Sequence, residues 1–289
     1  MQESRLLITG GAGSIGKELA ISLARKGYQV KAFDIAQADF SGLNNHGVEV
    51  MKGDITDRDS VKKAVKGCDL VLHLAALLPP VSEINREKTF AVNVNGTAHL
   101  VDAIVDDGAR ARMILTSTVA TYGDTTADEP PIRANHPQRP NTIYSETKVE
   151  AEKYVIDAKI PHIILRVSAV VMPALMEPPK WPFLPEQRVE FINRADVVAA
   201  LLASVEKEEA AGKILNIAGG RSWQMLGKEF VAELYSILDI PAEDAEYPER
   251  PVYCDWYDTD ESQAILNYQR TPFPRFLELL NQAVEEAIG

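Results

Sequence analysis

Two side chains suited to proton transfer, Tyr144 and Lys148, lie four residues apart in a segment predicted to be helical. This spacing places both side chains on one face of the helix. A free tyrosine has a pKa of about 10, and a neighbouring ammonium group favours its phenolate form. Such a phenol can accept a proton from a substrate hydroxyl while hydride leaves the same carbon, or donate it to a carbonyl in reverse. The pair therefore predicts an acid/base centre for hydride-transfer chemistry.

The Tyr144/Lys148 spacing alone is common on helix surfaces, so its context decides what it indicates. About 30 residues upstream, a predicted strand ends with the sequence Leu115-Thr116-Ser117-Thr118. Hydroxyl groups at the carboxyl end of a strand stand where open α/β sheets bind their ligands. Together, the hydroxyls and the helical pair favour a catalytic site over a chance pattern.

A glycine-rich loop, Thr9-Gly-Gly-Ala-Gly-Ser-Ile-Gly16, joins the first predicted strand to the first predicted helix. Gly10 allows a tight turn, Gly13 a close approach of ligand to backbone, and Gly16 the packing of helix against strand. A pyrophosphate binds well to backbone N–H groups at such a helix start. No Gly-Lys-Ser/Thr follows, which excludes a Walker loop. The pattern predicts a dinucleotide site that also includes Ser14 and Ile15.

The second predicted strand ends at Phe33-Asp34, 24 residues after Gly10. An acidic side chain at this place can accept hydrogen bonds from both hydroxyls of an adenosine ribose, and it repels a 2′-phosphate. Ile35 follows, so no arginine stands beside Asp34 to receive such a phosphate. NAD is therefore favoured over NADP, with a solvated turn aspartate as the alternative.

Short, continuous apolar runs alternate with amphipathic segments, which is typical of parallel strands covered by helices on both faces. The fold class predicted is α/β: a doubly wound parallel Rossmann sheet with a small, mainly helical C-terminal substrate-binding cap. Strands are predicted at Arg5–Thr9, Gln29–Phe33, Glu49–Lys52, Leu70–Leu74, Arg112–Ser117, His162–Val167 and Ile214–Ala218. Helices are predicted at Ile15–Lys26, Asp59–Lys66, Asn85–Asp106, Ile143–Ala158, Ala195–Lys207, Trp223–Leu238, Thr259–Leu266 and Pro274–Ile288.

The predicted domains follow from a change of character after residue 170. Residues 1–170 form the NAD-binding domain, to which about 190–220 contribute a further strand and helix, and residues 171–190 and 221–289 form the lid and cap. Five prolines in the lid prevent a long helix, because each removes a backbone donor; they are Pro173, Pro178, Pro179, Pro182 and Pro185. The lid is interpreted either as a surface linker or as a loop that closes over a substrate.

Composition excludes several classes of protein. The formal net charge is −12 with a pI near 5.0 and no Lys/Arg cluster, which argues against nucleic-acid binding. Two scattered cysteines, Cys68 and Cys254, and five unclustered histidines predict neither a disulfide framework nor a metal site. No apolar run approaches the length of a membrane span, and the N-terminus lacks a signal-peptide pattern, so a cytoplasmic location is expected.

Taken in order, these motifs resemble the extended short-chain dehydrogenase/reductase family, the NAD-dependent epimerase/dehydratase group. The resemblance extends from the glycine loop to the C-terminal cap. Besides that loop and Tyr144/Lys148, it rests on Gly53-Asp54-Ile55, His73-Leu74-Ala75-Ala76, Asn93-Val94-Asn95-Gly96-Thr97 and Thr116-Ser117-Thr118-Val119-Ala120-Thr121-Tyr122-Gly123.

The resemblance implies roles for individual residues. Asp54 and Ile55 would hold the adenine, and Leu74, Ala75 and Ala76 would line the pyrophosphate and ribose. Asn93 would lie beneath the nicotinamide side of the pocket, and Lys148 would also bind the nicotinamide ribose. Thr118 would polarise the substrate oxygen, with Ser117 beside it as a further catalytic candidate or a simple strand-end cap.

Departures from the family pattern concern the substrate. Sugar-nucleotide 4,6-dehydratases resemble one another in an Asp-Glu pair just after the catalytic hydroxyl. This chain has Val119 and Ala120 at those positions, so a 4,6-dehydratase reaction is rejected. Epimerases of nucleotide sugars usually carry a diphosphate-binding asparagine where this chain has Ala169, and only Arg188, one residue off register, resembles their arginine.

Three functions remain open at this point. The favoured one is an epimerase acting on a (nucleotide-)sugar, and its alternative is an NAD-dependent dehydrogenase or reductase of a smaller alcohol or ketone. A non-catalytic NAD(H)-sensing protein is the remote third, since such proteins typically lose the tyrosine or the lysine. The resemblance also implies a homodimer, paired through the helices at 85–106 and 143–158.

Overall fold

The computed structural model describes residues 4–108, 111–175, 180–249 and 254–288. Its centre is a parallel sheet of seven strands in the order β10-β6-β5-β4-β1-β2-β3. These strands are β1 (Arg5–Thr9), β2 (Gln29–Asp34), β3 (Glu49–Lys52), β4 (Leu70–His73), β5 (Arg112–Thr118), β6 (His162–Val167) and β10 (Ile214–Ile217). The order reverses between β1 and β4, which opens a ligand crevice at their carboxyl ends. The predicted Rossmann fold is confirmed.

Helices cover both faces of the sheet, and nine are present in the described ranges. They are α1 (Ser14–Arg25), α2 (Arg58–Val65), α3 (Arg86–Phe90), α4 (Gly96–Asp106), α5 (Ile143–Asp157), α6 (Arg194–Glu206), α7 (Gly227–Leu238), α8 (Asp260–Leu266) and α9 (Phe273–Ile288). Alternate side chains of each strand enter opposite cores: Ile114 packs with the α1/α6 layer, whereas Leu115 packs with the α2/α4/α5 layer. This double burial explains the continuous apolar runs of the strands.

The long helix predicted at 85–106 is interrupted. A π-helical turn, Ala91–Asn95, separates α3 from α4. Asn93 lies within this turn and its side chain is buried. Such turns commonly mark functional places in helices. Apolar periodicity could not reveal it, because a single wide turn shifts the pattern by only one residue.

The C-terminal part has its own aromatic core, which includes Trp181, Phe183, Trp223 and Phe230. Four short strands accompany its helices: β7 (Ala169–Val171), β8 (Arg188–Val189), β9 (Phe191–Asn193) and β11 (Met225–Leu226). The helix predicted from Trp223 begins instead at Gly227, after β11. Strands of two or three residues carry too little pattern to be predicted.

The proline-rich lid contains no helix in its described residues, 171–175 and 180–190. The intervening residues 176–179, with Pro178 and Pro179, lie outside the described ranges, as do residues 1–3 of the N-terminus. No helix among the described residues is long and apolar enough to cross a membrane.

Candidate active site

The glycine loop after β1 comes so close to neighbouring backbone that side chains could not fit. Gly10 has a φ of +70°, and a Cβ on it would lie 2.8 Å from the backbone nitrogen of Ala75. A Cβ on Gly16 would lie 2.2 Å from the Gly10 carbonyl oxygen. The loop can therefore pack tightly between strand and helix while α1 presents its N-terminus to the crevice.

Asp34, at the end of β2, lies beside this loop. One carboxylate oxygen accepts a hydrogen bond from the Ala12 N–H at 3.0 Å and the other from the Ile35 N–H at 2.8 Å. These contacts fix the carboxylate next to the glycine loop. Its remaining acceptor capacity suits the two hydroxyls of a ribose.

A cavity of about 430 Å³ opens at the carboxyl ends of the strands. It brings together the glycine loop, the ends of β5 and β6, and the first turns of α5. Eleven of the predicted site residues line it, namely Gly10, Gly13, Ser14, Ile15, Gly16, Leu74, Ala76, Ser117, Thr118, Tyr144 and Lys148. The structure thus joins two motifs that are more than 120 residues apart in the sequence.

Within α5, Tyr144 and Lys148 are both buried against the sheet. The Lys148 Nζ atom lies 5.9 Å from the centre of the Tyr144 ring and donates a hydrogen bond to the Thr116 carbonyl at 2.9 Å. Burial lowers the pKa of Lys148 to about 8, although the negative charge of Glu152 opposes this shift. The cation therefore stands close to the phenol, at a substantial desolvation cost.

The start of α5 is held by a residue that the sequence did not single out. The carboxylate of Glu83 accepts hydrogen bonds from the Ile143 and Tyr144 N–H groups, each at 3.0 Å. Thr142 and Ser145 form a capping box at the same helix end. A negative group here satisfies free N–H donors and complements the helix dipole. Because Glu83 lies some 60 residues upstream, no local pattern could reveal this contact.

The two predicted catalytic hydroxyls at the end of β5 have different partners. Thr118 Oγ1 accepts a hydrogen bond from the Ala120 N–H at 3.1 Å. Ser117, which also lines the cavity, donates its hydroxyl to Glu152. Arg166 pairs with the same carboxylate at 2.6 Å, and both charged groups are buried. The proposed catalytic role of Ser117 stays a prediction, next to this structural contact.

Two further hydroxyls line the cavity, and the sequence did not identify either as a site residue. Thr116 Oγ1 and Ser168 Oγ are buried and have no hydrogen-bond partner among the described residues. A buried hydroxyl without a partner costs stability unless a ligand completes it. Both residues stand at carboxyl ends of strands, a position that was used to select Ser117 and Thr118 and that applies equally to Thr116 and Ser168.

Five predicted cofactor residues do not line the cavity, namely Asp34, Asp54, Ile55, Ala75 and Asn93. Asn93 instead holds the chain after β4: its side chain accepts from the Leu77 N–H at 2.7 Å and donates to the Leu77 carbonyl at 3.1 Å. The Asp54 carboxylate accepts from the N–H and hydroxyl of Thr56. The cofactor roles of all five stay predictions.

His73 explains how the segment after β4 is held. Its ring nitrogens lie 2.7 Å from the Thr9 hydroxyl and 2.9 Å from the Thr97 hydroxyl. Since Thr97 donates to the Asn93 carbonyl, we assign the ring proton to Nε2 and the acceptor role to Nδ1. Burial lowers the pKa of His73 to about 3, so the ring is neutral. The network ties β1, β4 and the π-helical turn together.

Arg188, considered for diphosphate binding, is occupied elsewhere. Its guanidinium bonds both carboxylate oxygens of the buried Asp255, at 2.5 and 2.9 Å, and also the Thr125 and Asp128 carbonyls. These contacts tie the cap to the sheet domain. Among the described residues, no group of three or more His, Cys, Asp or Glu side chains is arranged to hold a metal ion.

Curated proteins with similar sequences include dehydrogenases and epimerases. A 3 beta-hydroxysteroid dehydrogenase/Delta 5-->4-isomerase of Mycobacterium tuberculosis is 36% identical over 158 residues, which cover 53% of this chain and 42% of that protein. A UDP-glucose 4-epimerase of Streptomyces lividans is 32% identical over 57% of this chain and 50% of its own length. These matches thus cover half or less of the relatives.

Solved structures share the whole fold. A short-chain dehydrogenase/reductase superfamily protein from Agrobacterium tumefaciens with bound NAD superposes with a TM-score of 0.82, covering 98% of each chain at 21% identity. The family model described as "NAD dependent epimerase/dehydratase family" matches residues 6–182, more than half of the chain. The predicted resemblance and the expected NAD cofactor are confirmed at the level of the family. The chain belongs to the NAD-dependent epimerase/dehydratase family.

Proposed function

We propose that this protein is an NAD-dependent oxidoreductase in which Tyr144 exchanges a proton with a substrate hydroxyl or carbonyl oxygen. The observation that carries the proposal is the single cavity that contains the glycine loop, Tyr144, Lys148 and Thr118. The glycine loop and the acid/base pair are thereby within reach of one ligand. A non-catalytic NAD sensor would not need this combination.

The residues present fit NAD. The glycine loop lines the cavity at the N-terminus of α1, whose N–H groups can bind a pyrophosphate, and Asp34 accepts a hydrogen bond from Ala12 of the same loop. The buried, partnerless hydroxyls of Thr116 and Ser168 offer further polar contacts in the cavity. When bound, NAD accepts hydride from the substrate carbon or returns it.

The protein residues handle the proton. Tyr144 takes it from the substrate hydroxyl during oxidation and returns it during reduction. The Lys148 ammonium, 5.9 Å from the phenol ring, favours the phenolate by its charge. Thr118, whose Oγ1 accepts from Ala120, keeps its hydroxyl proton for the substrate oxygen. Ser117 supports this edge through Glu152.

Among the alternatives, we favour a net dehydrogenase or reductase of an alcohol or ketone. Its support is the weak provision for a sugar-linked diphosphate, because Arg188 is paired with Asp255 and Ala169 replaces the expected asparagine. The relatedness to a hydroxysteroid dehydrogenase agrees with this choice. Val119 and Ala120 also lack the acids of a 4,6-dehydratase.

A (nucleotide-)sugar epimerase remains the second candidate, supported by the relationship to a UDP-glucose 4-epimerase. The two candidates differ in how they use NAD. An epimerase returns hydride to the same substrate and retains its cofactor, whereas a dehydrogenase exchanges it. Denaturing the purified protein and quantifying released NAD distinguishes them: about one NAD per chain supports the epimerase, and much less supports the dehydrogenase.

Replacing Tyr144 by phenylalanine tests the acid/base role. The variant is expected to lose turnover by about 10²-fold or more, the usual share of general acid–base catalysis, while NAD affinity stays within about twofold. Tyr154→Phe is the matched control, since Tyr154 lies on the same helix but is exposed and contacts Asp102. Normal turnover in Tyr144→Phe would refute the proposed mechanism.

We further propose a cytoplasmic homodimer whose cap binds substrate. The dimer proposal is supported by exposed apolar side chains on α4 and α5, including Val105 and Tyr154. The cap proposal is supported by Ala169 of β7, which lines the cavity and also packs against the aromatic core of the cap. Light scattering at several protein concentrations measures the assembly, and a monomer throughout would contradict the dimer.

A further inference from the structure

The substrate side of the cavity has almost no charge. Within the described residues, Lys148 is the only cationic side chain that lines the cavity, and no carboxylate does so. The Lys148 amino group already donates to the Thr116 carbonyl. A second diphosphate, beyond that of the cofactor, would find no charged partner here other than Lys148.

The walls that remain are apolar and come from two segments. One is the chain after β4, which contributes Leu78 and Pro79, and the other is β7 with its continuation, which contributes Ala169 and Val170. Val167 and Val197 complete the apolar lining. Polar side chains also line the cavity, among them Tyr144, Thr118 and Ser168. The cavity therefore combines reactive polar groups with apolar walls, an arrangement common in ligand sites.

These same two segments expose large apolar side chains at the surface. Six of the ten exposed large hydrophobic residues found in the described ranges belong to them: Leu78, Val81, Ile84, Val170, Met172 and Leu175, with exposures between 42 and 81%. Single exposed hydrophobic residues are ordinary, but their concentration in two segments that each line the cavity indicates a binding surface.

The first segment is held in place before any ligand arrives. The Asn93 side chain forms hydrogen bonds with both backbone groups of Leu77, and Thr89 donates one to the Ser82 carbonyl at 2.8 Å. The Glu83 carboxylate accepts hydrogen bonds from the first N–H groups of the Tyr144 helix. Its exposed apolar side chains are therefore presented by a fixed backbone. Preorganisation of this kind lowers the entropic cost of binding.

We infer that the substrate is a hydrophobic secondary alcohol, or the corresponding ketone, whose apolar body lies between Leu78 and Val170 while its oxygen meets Tyr144 and Thr118. The inference rests on the proposed function and specifies its substrate class. Oxidation would transfer hydride from the carbinol carbon to NAD⁺ and the proton of its hydroxyl to Tyr144, which leaves the ketone and NADH. Reduction is the reverse.

A series of methyl ketones from butanone to decanone, reduced with NADH, tests the inference. Each added methylene that becomes buried is expected to raise kcat/KM by about fourfold until the apolar walls are covered. The variant Leu78→Gln/Val170→Thr keeps the side-chain size but introduces polar atoms. It is expected to flatten this dependence, lowering kcat/KM for decanone far more than for butanone. The matched control, Leu78→Met/Val170→Ile, should preserve the dependence.

A binding assay separates this inference from the catalytic proposal. Prodan, a neutral naphthyl ketone whose emission shifts to the blue in apolar surroundings, is added to the Tyr144→Phe protein with NADH. The apolar site is supported if Prodan emission shifts to the blue, if decanone reverses this shift and if Leu78→Gln/Val170→Thr abolishes it. If these results are obtained but no ketone is turned over, only the proposed function fails. A kcat/KM independent of chain length, or displacement of Prodan by UDP-glucose but not by decanone, would overturn the inference.

Discussion

Lys148 carries a folding cost that the structure allows us to quantify. Its burial lowers the pKa of the ammonium from an ordinary 10.5 to about 8. A shift of this size corresponds to about 3 kcal/mol lost from folding stability whenever the lysine is charged in both states. Lys148→Met removes the charge and retains an unbranched side chain. The variant also loses the hydrogen bond to the Thr116 carbonyl, which lowers its stability by about 1 kcal/mol.

The expected net result is a cofactor-free variant about 2 kcal/mol more stable than the native protein near pH 7, with turnover lost. For a chain of this length the midpoint of thermal unfolding should rise by roughly 4 °C. The sign of the pH dependence follows from the lowered pKa. Below pH 8 both the folded and unfolded states hold the proton, so the cost is complete. Between pH 8 and 10.5 the folded protein releases it first, and the cost disappears as the pH rises.

Urea unfolding of the cofactor-free proteins near pH 7 and near pH 10 measures this difference. Lys153→Met is the control, because Lys153 lies on the same helix with 58% of its side chain exposed and should change stability by no more than about 0.5 kcal/mol. The reasoning is refuted if Lys148→Met is no more stable than the native protein near pH 7, or if its advantage is undiminished near pH 10.

Two further substitutions test the supports of the site. Asp34→Ala should reduce the preference for NAD over NADP by about tenfold, because the ribose hydroxyls lose an acceptor and a 2′-phosphate is no longer repelled by the carboxylate. The preference is measured as the ratio of kcat/KM for the two cofactors, with Asp39→Ala as the control. An unaltered ratio would show that Asp34 does not contact the ribose. Glu83→Ala should cost about 1 kcal/mol of stability and lower kcat, since two N–H groups at the start of the Tyr144 helix lose their acceptor. Glu83→Gln should recover part of both losses in urea titrations and steady-state kinetics, and a full kcat in Glu83→Ala would argue against a positioning role.

Local patterns were sufficient for the sheet domain. The seven strands of the central sheet were predicted to within one residue at each end, because each is a continuous apolar run bounded by turn residues. The glycine loop was recognised from its spacing together with its place between a predicted strand and a predicted helix, and its close contacts with Ala75 and within the loop give the reason for the glycines. Tyr144 and Lys148 were found because a helix of regular pitch places residues i and i+4 on one face.

Only the tertiary structure could reveal contacts between distant segments. Three such hydrogen-bonded pairs are separated by 35 to 67 residues, namely Glu83 with Tyr144, Arg188 with Asp255, and Ser117 with Glu152. Such pairs depend on how the sheet and cap pack. The partner of a single charged or hydroxyl residue cannot be predicted from the sequence pattern around it. The sequence by itself therefore determined the fold and the family, and it predicted the chemistry at the Tyr144 end of the cavity. Packing decided which side chains line the cavity, and only from that lining could a substrate class be inferred.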